Sequence, residues 1–277
     1  MTFRPALPLS GVAGSNFLQR TYDRQLQTFA ETPQNQNDRA YFEQALSEPI
    51  SVDDFLSDRR LLRISLTAFG LAGEETKGGF VRRAFESALD PDDSFLQRIN
   101  NPDYTRFTNV VRPDAEGNIQ LNSAQIQDIL TNFERETFEA AVGEIDTDLR
   151  LDLNFRSDID QLVGDNASDS AKAFRLLGSV PVRTLLEGAL NLPTEFSQLD
   201  VERQAEDLQD RLQTTFGISE LSELANPEVI DRVTSRYLAI QSALQGPNAN
   251  TPGFAALSLL TGVGSNASAN LFLSRFI

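Results

Sequence analysis

The sequence predicts an all-α protein: a compact multi-helix bundle, with two related helical halves around a long central helix. Three observations predict it. Apolar residues recur at helical spacing through most of the 277 residues. Helix-start signals, Ser51-x-x-Asp54, Asn101-Pro102 and Ser123, stand directly before these apolar runs. Strand-like alternation occurs at Leu149, Leu151, Leu153 and Phe155. There a helical template explains more positions, and a lone strand would lack a partner.

Taken in order, residues 1–50 form an N-terminal segment, partly flexible and partly helical, with GVAGSNF as a flexible joint. Residues 51–111 form a first helical unit. Its first helix, DDFLSDRRLLRISLTAFG, puts Phe55, Leu61, Leu62, Ser65, Leu66 and Phe69 on one face and ends at Gly70. Its second, GGFVRRAFESAL, uses Val81, Phe85, Ala88 and Leu89 and stops at Asp90-Pro91. A third starts at Asn101-Pro102, where Asn accepts from the first turn and Pro needs no donor. The polar loop RPDAEGNIQLN, 112–122, is the best internal boundary.

A long central helix is expected over 123–165, capped by Ser123, with Ile126, Ile129, Phe133, Phe138, Val142, Ile145, Leu149 and Leu153 in register and a kink near Gly143. After the loop GDNASDS, a second helical unit covers 169–244. There Asp200 caps a helix that buries Val201, Ala205, Leu208 and Leu212. A loop over 245–252 precedes a C-terminal helical segment, 252–277, with FAALSLL and ANLFLSRFI. The whole is expected to pack as one domain.

The two helical units share a plan. Ala68, Phe69 and Leu71 match Ala189, Leu190 and Leu192 at an offset of 121 residues, and Asn101-Pro102 matches Asn226-Pro227 at 125. A degenerate duplication explains this. So does the periodicity that all helical proteins share.

Composition excludes several functions. Net charge is -16 and the pI is about 4.4, so phosphate backbones and anionic membranes are repelled. There is no Cys and no His, so the usual zinc and copper sites and Ser-His-Asp or Cys-His catalysis have no ligands or bases. Lys77 and Lys172 are the only lysines, which leaves few amine nucleophiles. No cofactor is expected. No apolar run approaches the ~18 residues of a membrane span. Pro5 and Pro8 interrupt the N-terminal apolar stretch, so no secretory signal is read. The expected location is cytoplasmic by default, and a dedicated export machine that reads a disordered N-terminus would leave no such signal.

Candidate chemistry is thin. Asp146-Thr-Asp148-Leu-Arg150-Leu-Asp152 resembles a calcium loop but lacks the central Gly and the final Glu. Asp90, Asp92 and Asp93 cluster, and a helix stop followed by a cap accounts for them. Arg59, Arg60, Arg82 and Arg83 form two basic pairs, expected to neutralise nearby acids. The stronger candidates are the terminal apolar groups: Phe17 and Leu18 at one end, Leu271, Phe272 and Phe276 at the other. Such groups dock either on their own core or on a protein partner.

SVDDFLSDRRLLRISLTAFGL, FRLLGSVPVRTLLEGALNLP and LDVERQ resemble segments of an uncharacterised alphaproteobacterial family commonly encoded among flagellar genes. The resemblance runs from about Ser51 to the mid-240s. It implies a link to flagellar structure, assembly or regulation, and it supplies no catalytic residue. The chain carries no long terminal heptads of the kind that build an axial shaft. The resulting expectation is a non-enzymatic, flagellum-associated protein acting through protein–protein contacts. The alternatives are a cytoplasmic chaperone or regulator that is never exported, and a carboxylate-based hydrolase.

Overall fold

The structure, a computed structural model, describes residues 3–90, 92–99 and 101–245. These form thirteen α-helices, three short 3-10 turns and one pair of two-residue strands. The fold is all-α, as the periodicity predicts. The chain divides into two units: residues up to Pro5 with Thr21–Ile145, and Ala6–Arg20 with everything from Asp146 onward.

The first unit holds the second half of α1 (Gly11–Ala30), then α2 (Pro33–Ala45), α3 (Val52–Ser57), α4 (Arg59–Ala68), α5 (Gly78–Leu89), α6 (Phe95–Ile99), α7 (Pro102–Val110) and α8 (Ser123–Gly143). One expected helix is two. Asp58 adopts an extended backbone, and its carboxylate accepts from Arg60 and Leu61 N–H, so it caps α4 and ends α3. Ser51 caps α3 by accepting from Asp54 N–H, as its motif predicts. Asn122, one residue earlier than expected, caps α8 in a reciprocal box with Gln125.

The core of this unit is aromatic. Phe42, Phe55, Phe85, Phe107 and Phe133 are all fully or almost fully buried, with Leu61, Leu62 and Ile64 from α4. Phe85 lies 5.2 Å from Phe107 and 6.1 Å from Phe55 between ring centroids. α4 packs on α2 and α8, and α5 packs on α7. On α5 the buried side chains are Val81, Ala84, Phe85 and Ser87, while Leu89 is exposed. The helix spacing therefore placed Leu89 one step too far round.

The loop 112–122 is not the boundary between units. It carries strand β2 (Asn118–Ile119), which pairs antiparallel with β1 (Ile50–Ser51). This pairing ties the start of α8 into the first unit. The division falls instead at Ile145–Asp146, inside the segment expected to be one central helix. Asp146 takes an extended backbone and accepts from Asp148 and Leu149 N–H. It thereby starts a new helix, α9 (Thr147–Val163).

The second unit adds to α9 the first half of α1, α10 (Asp169–Gly178), α11 (Val180–Leu190), α12 (Val201–Phe216) and α13 (Pro227–Gln245). α11 packs on α9 and α13, and α10 packs on α12. GVAGSNF is not a joint: it forms the opening turns of α1. A Cβ on Gly14 would meet the Leu9 carbonyl oxygen at 2.4 Å and the Leu149 side chain at 3.3 Å, so the glycine permits close packing. The helices expected in 252–277 and the loop leading to them lie outside the described residues.

Candidate interaction surface

The acidic motifs are absorbed by the architecture. Asp146 and Asp148, the first residues of the calcium-like run, are a helix cap and a first-turn residue. Asp90 accepts from Asp92 N–H, and Asp93 accepts from Phe95 N–H while pairing with Arg83. The Phe95 N–H and the Arg83 guanidinium hold the Asp93 carboxyl below its ordinary range. Arg60 pairs with Asp38 at 2.7 Å and Arg82 with Asp53 at 2.6 Å. Three of the four paired arginines therefore neutralise acids, as expected.

The second unit contains a buried polar network. Asp152 is fully buried. One of its oxygens accepts from Ser15 Oγ at 2.5 Å, the other from Arg156 Nε at 2.7 Å. Arg156 also donates to Asp231 Oδ1 at 2.7 Å and to Thr234 Oγ1 at 2.8 Å. Every strong donor and acceptor here has a partner, which is the arrangement of a structural clamp. Nearby, Tyr237 donates to Asp148 Oδ1 at 2.6 Å. Burial, then the Asp148 carboxylate, pushes the Tyr237 phenol well above its ordinary range. Burial also raises Asp146 above the usual carboxylate range. Among the described residues, no group of three or more acids stands where it could hold a metal ion.

The predicted terminal contacts divide. Leu18 has no exposed surface and is a core residue of α1. Phe17 is half-buried beside it. Leu271, Phe272 and Phe276 lie outside the described residues.

A different surface stands out. Six large apolar side chains are exposed among the described residues, and four of them fall between 174 and 201: Phe174, Val180, Leu199 and Val201. Val180 is 73% exposed and Val201 46%. Val201 was expected in the core. It occupies the first turn of α12, and the buried stripe begins at Gln204 and Ala205. Phe174 lies off the buried stripe of α10, which is Lys172, Ala173, Leu176 and Leu177. That mismatch is the sequence signal for this surface. An apolar residue that breaks the period of its own helix has no place in the core.

Val180 opens α11, Leu199 and Val201 flank the N-cap of α12, and Phe174 lies in the middle of α10. Leu221 N–H, just past α12, donates to Asp169 Oδ1 at the start of α10. α10 ends at Gly178. α11 starts two residues beyond that end. Beneath Leu199, Gln204 is buried, and its Nε2 donates to the Leu199 carbonyl at 2.6 Å while its Oε1 has no partner.

The fold defines an all-helical protein with a net charge of -16. A family model described as "Protein of unknown function (DUF1217)" matches residues 68–230, more than half of the chain. The chain belongs to that family. A crystal structure of a protein from Agrobacterium tumefaciens is similar in fold, with a TM-score of 0.67 at 18% identity, over 88% of this chain and 100% of that one. No curated protein matches the sequence. No described helix is long and apolar enough to cross a membrane.

Proposed function

We propose that this chain is a non-enzymatic component associated with the flagellum, structural, assembly-related or regulatory, that acts by binding other proteins. The observation that carries the binding role is that four of the six exposed large apolar side chains among the described residues, Phe174, Val180, Leu199 and Val201, fall within one stretch of a strongly acidic chain. The clustered carboxylates Asp93, Asp146 and Asp152 serve as caps and ion-pair partners, which supports a scaffold role for them. The flagellar link rests on the resemblance of SVDDFLSDRRLLRISLTAFGL, FRLLGSVPVRTLLEGALNLP and LDVERQ to a family encoded among flagellar genes.

The test is deletion of the gene in the native organism, read by swimming and by fractionation. Loss of swimming with the protein in purified flagellar or basal-body fractions supports a structural component. Loss of swimming with the protein confined to the cytoplasm makes it a chaperone or regulator. Normal swimming with normal flagella overturns the flagellar link.

A further inference from the structure

The first half of α1 sits against α9 and α13 through a short set of contacts. Ser15 Oγ donates to the buried Asp152 carboxylate at 2.5 Å. Leu18, three residues on, has no exposed surface. A Cβ on Gly14 would meet Leu149 Cδ1 at 3.3 Å, so this position calls for a small residue. Gly11 has φ 60°, and a Cβ on it would meet Ser242 Oγ at 2.5 Å, which sets the start of α1 beside the end of α13. Of residues 11–20, three are buried: Gly14, Ser15 and Leu18. α4, by contrast, buries seven of its ten residues. A segment with so little buried area is drawn from the low-stability end of a fold and opens locally.

The sequence writes the same contact plan again. GSNFLQR (14–20) and ANLFLSR (269–275) share Phe-Leu-x-Arg in one register, with a small residue three places before Phe and a side-chain donor two places before it. In this register Leu273 stands for Leu18, and Asn270 offers an amide N–H where Ser15 offers a hydroxyl. Asn266 falls at the place of Gly11, and Asn is among the residues that tolerate positive φ. FLQR also occurs at 95–98, but there Asp93 holds the place of Ser15 and would set one carboxylate against another. Residues 269–275 lie outside the described residues, on the span that follows α13. The 24 residues from Gln245 to Ala269 extend to about 80 Å. Gly11 to Leu18 occupies only about 10 Å of helix. Reach is therefore no obstacle, and a tethered segment competes at a high effective concentration.

We propose that residues 269–275 dock on α9 and α13 of the same chain in place of residues 14–20, so that the two segments exchange as occupants of one site. Leu273 fills the Leu18 position, and Asn270 donates to Asp152. The exchange makes a two-state device: residues 14–20 are held in one state and released in the other.

The test uses the full chain, which has no cysteine. Ser274→Cys carries a single benzophenone, and crosslinked peptides are mapped after irradiation. Crosslinks to α9 or α13 within one chain are expected. Ser15→Ala, which takes from α1 its bond to Asp152, should raise their yield at least threefold. Leu273→Asp should lower it at least tenfold, because a carboxylate replaces the buried leucine. Amide exchange reads the same equilibrium without a label and without altering α1. Leu273→Asp alone should slow exchange of residues 14–20 at least threefold with circular dichroism unchanged, because their competitor is lost. Crosslinks confined to pairs of chains would put a second copy in the site and overturn the proposal. Crosslinks confined to other elements, no crosslinks, a yield indifferent to Ser15→Ala, or exchange indifferent to Leu273→Asp would each overturn it as well. The flagellar link is decided by swimming alone, so the two claims fail separately.

Discussion

Gly70 and Asn191 perform the same task in two separate helix terminators. Gly70 sits at φ 78° and Asn191 at φ 51°. Around Gly70, Leu71 N–H donates to Leu66 O at 2.9 Å and Gly70 N–H to Thr67 O at 3.0 Å. Around Asn191, Leu192 N–H donates to Glu187 O at 2.9 Å and Asn191 N–H to Gly188 O at 3.2 Å. Each pair closes a helix with a left-handed residue and two reversed hydrogen bonds. The match continues downstream: Asn101 accepts from Asp103 N–H at 2.8 Å, and Asn226 from Glu228 N–H at 2.9 Å. Both units thus reproduce the same stop and the same start, which favours duplication over shared periodicity alone.

Substituting the two terminators should separate conformation from contact. Gly70→Ala meets no close atom, since the nearest is Asp103 Oδ2 at 3.6 Å. Its cost is therefore backbone strain, about 1–2 kcal/mol. Asn191→Gly relieves a left-handed non-glycine and should stay within about 0.5 kcal/mol of the parent. Urea unfolding measures both. A cost-free Gly70→Ala would contradict the assigned backbone.

The Asp152 clamp predicts a large and graded loss. Asp152→Ala leaves Arg156 without its most buried partner and Ser15 without an acceptor, and should cost about 3–5 kcal/mol. Ser15→Ala removes one donor from a buried carboxylate and should cost about 1–3 kcal/mol. If both substitutions proved neutral in chemical denaturation, the network would not be holding α1 to α9.

Gly188 and Tyr237 form the next test. A Cβ on Gly188 would fall 2.7 Å from two ring atoms of Tyr237. Gly188→Ala should therefore cost about 1–3 kcal/mol through overpacking. In a Tyr237→Ala background the same substitution should cost much less, because the ring it strikes is gone. A double-mutant cycle reads that difference, and equal costs in both backgrounds would rule out the contact.

The pH dependence of Asp146 runs opposite to that of Asp93. Burial raises Asp146 above 3.8 in the folded chain, so the native state prefers the protonated form. Stability from this group falls as pH rises from the ordinary value through the raised one. Asp146→Asn keeps a capping oxygen and removes the penalty. Its melting temperature relative to the parent should climb between pH 4 and 7 and show no advantage at lower pH. Asp93 is held below 3.8, so its contribution is present above that value and disappears as pH falls below it. A flat Asp146→Asn difference across the range would show that the carboxyl is not shifted.

Much of the fold was legible because caps are local. Ser51, Asn101 and Asp200 each accept from an N–H two or three residues ahead, and that relationship is written in a few consecutive residues. The breaks at Asp58 and Asp146 use the same chemistry but lie inside apolar periods that continue across them. The period therefore hid the cap, and two helices read as one. Burial was less legible. Leu18 looks like a free apolar end, but the side chains that cover it come from distant parts of the chain. Val201 continues the register of Ala205, Leu208 and Leu212, yet it stands exposed in the first turn while they are buried. The candidate surface was missed for that reason. Periodicity says which way a side chain points, and only the fold says whether anything is there to meet it.

The Ser15–Asp152 bond joins residues 137 positions apart. During synthesis the first half of α1 leaves the ribosome long before its partners in α9 and α13 exist. At about 5–20 residues per second, the delay is on the order of ten seconds. Residues up to Ile145 include everything the first unit needs, so that unit can assemble while the early helix waits. Completion of the second unit must close a very long loop, an entropic step that local helix formation does not require.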